Sequence, residues 1–358
     1  MNNLYFNKEQ PLVSIAVITY NSSKYVLDTL ESIKSQTYQN LEVIISDDCS
    51  SDNTVDICQN WIEGNRNRFV RIELITVSKN TGIAPNANRA LYSAIGSWIK
   101  FIAGDDILFP RAIQSNMEFI SQKEHEDAAI VVSSIQLFKD NIKNKLYVWP
   151  NFRFSNNIKE QLRKHLVEGF INAPGVFLKR KVLINEFKGF NEKYPMMEDA
   201  PLWTLFLTNG YKFHFNPEIL IGYRIHTDSV SKSNNWPFGN RYFFISLYSY
   251  QKDIAFPLML KNKFYFDFLV NSASYHVLKK KYDKYDYTSL NTRDKIEIFV
   301  LFSLKIIFFI ITGKLNSGNG DYTYPNIKDK IGTIASYFCW ILFWIIRKMK
   351  VVMKTLCN

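Results

Sequence analysis

From Val13 to Tyr20 the chain reads VSIAVITY, a β-branched and nearly continuous apolar run that suits a strand buried on both faces. It breaks at Asn21-Ser22-Ser23, residues that favour helix starts. In KYVLDTLESIKSQ, which follows, Tyr25, Leu27, Leu30 and Ile33 recur near helical spacing. The alternation then repeats. A strand LEVIISDD (41–48) gives way through the polar turn CSSDNT to a helix TVDICQNWIE (54–63) and a strand RIELITV (71–77). A loop, a helix ANRALYSAI (87–95) and a strand SWIKFIAG (97–104) come next. Strands alternating with helices predict a parallel sheet with right-handed crossovers, whose ligand crevice opens at the carboxyl ends of the strands. Asn21, Asp47, Asp48, Asp105 and Asp106 all fall at those ends.

Beyond Pro110 the pattern predicts a helix RAIQSNMEFISQ, a strand AAIVVSSIQLF (128–138), a loop over 139–154 and a helix near 157–168. The segments NAPGVFLKRKVL (172–183) and MMEDAPLWTLFLTNG (196–210) follow. After Tyr223-Arg224-Ile225-His226 the chain turns to Lys- and Tyr-rich helical segments without further strand-turn-Asp units. A domain boundary is therefore expected near 235, with an α/β catalytic domain over 1–235 and a mainly helical region over 236–358. No internal repeat is present.

Charge changes this picture only at the end of the chain. Residues 1–230 carry 25 Lys+Arg and 25 Asp+Glu, whereas residues 231–358 carry 19 and 8, so the net +11 lies entirely in the last third. The same third holds the apolar runs IFVLFSLKIIFFII (298–311) and IGTIASYFCWILFWII (331–346), the second followed by RKMK. A spanning helix wants about 20 apolar residues; 331–346 offers 16 before Arg347 and 298–311 is interrupted by Lys305, so core helices, an interfacial helical pair and a short re-entrant hairpin are the alternatives for these runs. Basic and apolar together point to an anionic membrane surface, met from the cytoplasmic side. A neutral first 230 residues argues against nucleic acid as a partner. Four cysteines without paired spacing fit a reducing compartment, and the N-terminal stretch lacks the pattern of a secretory signal.

The candidate chemistry lies in the acidic pairs. Neighbouring carboxylates repel, and a divalent cation removes that penalty, so Asp105-Asp106 after WIKFIA suits Mg²⁺ or Mn²⁺ held against a diphosphate. Strand-end aspartates that cap the following helix are the plainer alternative for any one of them. A sugar nucleotidyltransferase or a dinucleotide oxidoreductase would open its first turn with glycines, and here that turn is TYNSS.

The strings VSIAVITYN (13–21), EVIISDDCSSDNT (42–54), NTGIAPNANRAL (80–91), WIKFIAGDDILFP (98–110) and MMEDAPLW (196–203) together resemble the ordered motifs of inverting family-2 glycosyltransferases. The resemblance implies a GT-A fold, a Rossmann-like mixed sheet flanked by helices, and activity on a nucleotide diphosphate sugar, most commonly a uridine diphosphate sugar. It implies that Thr19, Tyr20 and Asn21 line the base, Asp48 accepts from the base ring, and Asn88 and Arg89 lie near the ribose and diphosphate. Asp105 would contact the ribose or the metal shell, Asp106 would bind the metal, Asp199 would be the catalytic base and Glu198 would contact the acceptor. In YRIHTDSVS, His226 would complete the metal shell and Arg224 would pair with the departing diphosphate; an ordinary surface loop is the alternative for both. The acceptor is expected to be a glycan or lipid-linked glycan of surface polysaccharide assembly. A catalytically silent scaffold of the same fold at the membrane is the non-enzymatic alternative.

Overall fold

The run from Val13 forms β1 (Val13–Thr19), followed by α1 (Val26–Lys34), β2 (Leu41–Asp47), α2 (Thr54–Asn65), β3 (Arg71–Thr76), α3 (Ile83–Ser93) and β4 (Trp98–Ala103). The computed structural model describes residues 10–149, 154–169, 171–194, 197–226, 241–264, 267, 268 and 271, all within the first of two compact units, residues 1–318. The two apolar runs expected to meet a membrane lie outside the described residues. Among the described residues no helix is long and apolar enough to cross one.

β1 pairs in parallel with β2 (Val13↔Leu41, Thr19↔Asp47) and with β4 (Val13↔Trp98), and β2 pairs in parallel with β3. This shared register brings Thr19, Asp47 and Ala103 to one edge. Val13, Ile15 and Val17 bury themselves among residues of α1 and α2, while Ala16 faces the core that holds Ala84, Ala87 and Leu91 of α3. Both faces of β1 are therefore dry, as its unalternating pattern requires. Helix α3 starts four residues before the expected Ala87. Gly82 adopts φ 94 at its N-cap, and Pro85 sits within the first turn, where its missing N–H breaks no helical bond.

The chain continues through β5 (Ile107–Leu108), α4 (Ala112–Ser121), β6 (Ile130–Lys139), β7 (Lys145–Trp149), α5 (Ile158–Glu168), β8 (Val176–Lys179), α6 (Arg180–Asn185), α7 (Asp199–Thr208) and β9 (His214–Ile225). The sheet order is β3-β2-β1-β4-β8-β6-β9-β5, with β7 beside β6. β8 runs antiparallel to β4 and β6, so the sheet is mixed. The expected loop over 139–154 contains β7, a hairpin partner of β6. β9 continues past Pro217-Glu218 because the β6–β9 register jumps there from Ser133↔Asn216 to Ser134↔Ile219. A bulge accommodates the proline that would otherwise end the strand.

Two features away from the crevice bear on stability. At the amino edge of the sheet the Glu42 side chain is fully buried and accepts from Ser14 Oγ (2.5 Å), Ile95 N (2.6 Å), Gly96 N (2.9 Å) and Arg71 (3.1 Å). The second is a strap after β9. Helix α8 (Arg241–Tyr250), a π-helical turn (Gln251–Ala255) and α9 (Phe256–Lys261) put Tyr250, Ala255 and Met259 into the same core as α5 and α7. Polar contacts hold the strap there: Thr204 Oγ1 to Tyr250 OH (2.8 Å), Lys193 to Asp253 (2.7 Å) and Arg163 to Asp267 (3.0 Å). The boundary expected near 235 falls within 227–240, outside the described residues.

Candidate active site

At the ends of β1 and β2, Asp47 organises the turn that follows it. It accepts from Thr19 Oγ1 (2.8 Å), Ser50 N (2.8 Å) and Ser50 Oγ (2.6 Å). Asn21, at φ 50, is locked to the same turn, donating from its amide to Ser50 Oγ (2.7 Å) and accepting from Ser51 N (2.8 Å). Asparagine tolerates this left-handed backbone better than most residues. Tyr20 is exposed and Thr19 is buried.

Asp48 lies deeper. Its carboxylate accepts from Thr81 N (2.9 Å), Thr81 Oγ1 (2.7 Å), Gly82 N (2.7 Å) and Arg89 (2.6 Å). Burial alone would raise its pKa. The bonds from Thr81, Arg89 and the two amides outweigh that and hold it below the ordinary value, so Asp48 is ionised. Arg89 also donates to Thr81 Oγ1 (2.7 Å) and Asn86 Oδ1 (3.1 Å), and Asn86 donates to the Thr19 carbonyl (3.1 Å). The Nε of Arg89 is buried without a hydrogen-bond partner among the described residues. Thr19, Asp48 and Arg89 thus form one group, completed by Thr81 and Asn86, which sequence reasoning passed over. Asn88 points elsewhere. Its amide takes Phe190 N (2.7 Å), Phe190 O (3.0 Å) and Glu192 (2.8 Å), clamping the segment that leads to α7. Gly189 is required beside it: φ is 86, and a Cβ there would sit 2.4 Å from Asn88 Oδ1.

The second group surrounds the turn after β4. The β5–β9 register (Ile107↔Gly222) extends backwards to lay Asp105-Asp106 against Tyr223-Arg224. Asp106, expected as the metal ligand, is consequently turned inward at 1% exposure, accepting from Arg224 N (2.9 Å) while its carbonyl accepts from Thr29 (2.7 Å). Burial and the Asp105 charge push its pKa well above the ordinary range, against the Arg224 amide and the charges of Lys100 and Arg224. Arg224, expected at the diphosphate, is also inward, at 3% exposure. It donates to the Asp105 carbonyl (2.7 Å), the Asp140 carbonyl (2.5 Å) and Asp28 (3.0 Å), between the rings of Tyr25 (4.5 Å) and Phe138 (4.8 Å). This guanidinium is a strut between β9 and the Asp turn, and as it stands it is not presented to a ligand. Asp105 keeps 29% of its side chain exposed and meets His226 Nε2 at 2.9 Å.

Among the described residues no group of three or more His, Cys, Asp and Glu is placed to hold a metal ion. The Asp105–His226 pair nevertheless sets one oxygen and one nitrogen donor side by side. Two such donors fit Mg²⁺ or Mn²⁺, hard cations that bind through few protein ligands and leave positions for phosphate oxygens and water.

The third group is the Glu198-Asp199 pair at the start of α7. Asp199 accepts from Ala200 N (2.6 Å), and burial raises its pKa against that amide. Burial, with the Asp199 charge, raises Glu198 to about 7. Underneath, His165 Nε2 meets the Ala200 carbonyl (3.1 Å) and Thr204 Oγ1 (3.2 Å), and burial lowers its pKa to about 4, keeping it neutral. Phe101 of β4 packs edge-on against Phe190 at 5.1 Å, tying the approach to this pair to the central strand.

Residues 14–187 match the profile of glycosyl transferase family 2. An uncharacterised glycosyltransferase of Rickettsia felis is 26% identical over 224 residues, 62% of this chain and 35% of that one, so the match spans about a third of the relative's length. TuaG of Bacillus subtilis, whose provisional name places it as a glycosyltransferase of teichuronic acid biosynthesis, is 24% identical over 66% of this chain and 87% of its own. Among solved structures, the mannosyltransferase PcManGT of Pyrobaculum calidifontis, in complex with GDP-mannose and Mn²⁺, superposes with a TM-score of 0.50 at 15% identity, covering 83% of this chain and 81% of that one, a likeness of fold alone. The family's profile over residues 14–187 and the mixed GT-A sheet beneath it mark this segment as a glycosyl transferase family 2 domain.

Proposed function

We propose that the protein moves a sugar from a nucleotide diphosphate donor, a uridine diphosphate sugar by family expectation, to a hydroxyl group of a glycan or lipid-linked glycan, inverting the anomeric centre. The observation that carries this reading is the placing at one sheet edge of the ionised Asp48–Arg89 pair, in contact at 2.6 Å, and the Asp105–His226 pair, in contact at 2.9 Å. The first offers a carboxylate and a guanidinium to a nucleotide. The second offers the donors for a divalent ion, which would be held by Asp105 and His226 and would neutralise the diphosphate as it leaves. Asp106 and Arg224 hold Asp105 in place from behind.

Asp199 takes the proton. As the acceptor oxygen forms its bond to the anomeric carbon, the bond from that carbon to the diphosphate breaks and the hydroxyl proton passes to the Asp199 carboxylate. A carboxylate whose pKa is raised by burial is a stronger base than one in water. The teichuronic acid naming of TuaG and the GDP-mannose and Mn²⁺ of PcManGT accord with a surface-polysaccharide pathway, a nucleotide sugar and a metal. Calorimetric titration with a panel of nucleoside diphosphates, with Mn²⁺ and then with chelator, is the test. Metal-dependent binding of one nucleotide is expected; no binding under either condition would favour a silent scaffold.

We also place the protein at the cytoplasmic face of the membrane, on the basic and apolar composition of residues 231–358. Deleting residues 290–358 should move it out of the sedimented membrane fraction. An unchanged distribution would sink this placement.

A further inference from the structure

A buried lysine stands directly behind the crevice. Lys100 lies on β4, the strand that ends at the Asp105-Asp106 turn, and is 1% exposed. Its ammonium donates to the Pro174 carbonyl and to the Val176 carbonyl (3.0 Å). Burial lowers its pKa to about 7, against the raising effect of Asp106. An apolar side chain would fill the same space without a desolvated cation, so the two carbonyls give the charge its structural reason.

The first carbonyl belongs to a short 3-10 turn, Ala173–Gly175, that leads into β8, and the second to the first residue of β8. β8 is antiparallel to β4 (Trp98↔Lys179, Ile99↔Leu178). The residues preceding Val176 therefore lie beside the carboxyl end of β4, at the same edge as Asp105. The turn is fixed from other sides as well. Gly175 N donates to Asn172 O (3.2 Å), Ser133 Oγ donates to Gly175 O (2.9 Å), and a Cβ on Gly175 would lie 2.5 Å from the Ser133 carbonyl oxygen. Asn172, Ala173 and Pro174 are half-buried at the surface of this turn. The Asn172 amide has no hydrogen-bond partner among the described residues, and one carbonyl acceptor with two N–H donors suits a sugar hydroxyl.

We propose that Lys100 is a positioning residue: by gripping the Pro174 and Val176 carbonyls it seats the 172–175 turn beside Asp105, so that Asn172 meets the sugar ring of the donor. The proposal rests on the glycosyl-transfer reading and assigns the sugar, as distinct from the nucleotide, to this turn.

The test compares affinities of the full-length protein, with Mn²⁺, for a nucleoside diphosphate and for its sugar conjugates. UDP with UDP-glucose and UDP-N-acetylglucosamine, and GDP with GDP-mannose, serve as the pairs, and the pair the wild type binds most tightly is carried forward. In Asn172→Ala and Lys100→Met, diphosphate affinity should stay within about twofold while sugar-conjugate affinity falls about two- to tenfold, the range of one hydrogen bond. Asn172→Ala touches no core residue, so it reads the subsite even if Lys100→Met folds poorly. A ratio of the two affinities unchanged in Asn172→Ala overturns the proposal, as does a loss in Lys100→Met that is equal for both ligands. Absence of nucleotide binding by the wild type would instead overturn the glycosyl-transfer reading beneath it.

Discussion

Asp199→Asn should bind the nucleotide donor as the wild type does and transfer sugar at least about a hundredfold more slowly, the usual contribution of a positioned general base. The amide preserves shape and can still accept from Ala200 N, now at 2.6 Å from Asp199, so α7 should keep its start. What disappears is the site that takes the acceptor proton. Burial raises the Asp199 pKa, and Glu198 beside it is raised to about 7. Two adjacent carboxyls titrate as a pair, so the limb belongs to both. Because the base works only when ionised, transfer should increase with pH through an acid limb displaced above the ordinary carboxylate range, and fall away below it. Initial rates across pH, alongside donor titration, check both parts. Full transfer by Asp199→Asn would place the base elsewhere, and loss of donor binding as well would make Asp199 a structural residue.

Replacing Glu42 by alanine should lower unfolding stability by about 3–5 kcal/mol, a large share of the roughly 5–15 kcal/mol that holds a typical domain together. Its buried carboxylate gathers Ser14, Arg71 and the amides of Ile95 and Gly96, and truncation would strand these donors without water to replace it. Glycine is needed at 96, where a Cβ would sit 2.5 Å from Ser14 Oγ and 2.7 Å from Ser14 N. Glu42 lies near the start of the strand whose far end carries Asp47, so rates per folded molecule should not change. Denaturant titration reads the loss; a change under about 1 kcal/mol would mean that water or a neighbouring group takes the place of the carboxylate.

The elements from β1 to β4 were legible because each advertises itself locally: a β-branched run, a capping turn, an amphipathic helix. β7 and β9 were not. The first is five residues within a polar stretch, and the second carries Pro217, tolerated only because the partner strand supplies a bulge that no local pattern announces. The acidic pairs showed where charge collects, but not which carboxylate faces out. That depends on the β5–β9 register, which joins residues more than a hundred positions apart and turns Asp106 inward while Asp105 meets His226. Arg224 entered through the resemblance of YRIHTDSVS to a family motif; its burial between Tyr25 and Phe138 follows from contacts among three distant segments. Lys100 is one polar residue within the apolar strand WIKFIA, and no local pattern marks its burial.

The strap after β9 also bears on how such a chain could be recombined. The family profile stops at residue 187, yet Tyr250, Ala255 and Met259 fill the same core as Trp203 and Phe206 of the helix that carries Asp199. A chimaera spliced just after β9 would leave that helix with an apolar flank and with Arg163, Lys193 and Thr204 lacking their partners in the strap, and one spliced at 187 would part Arg163 from Asp267. Exchanges of specificity between relatives should therefore place the crossover beyond Asn271, carrying the strap along with the helix it covers.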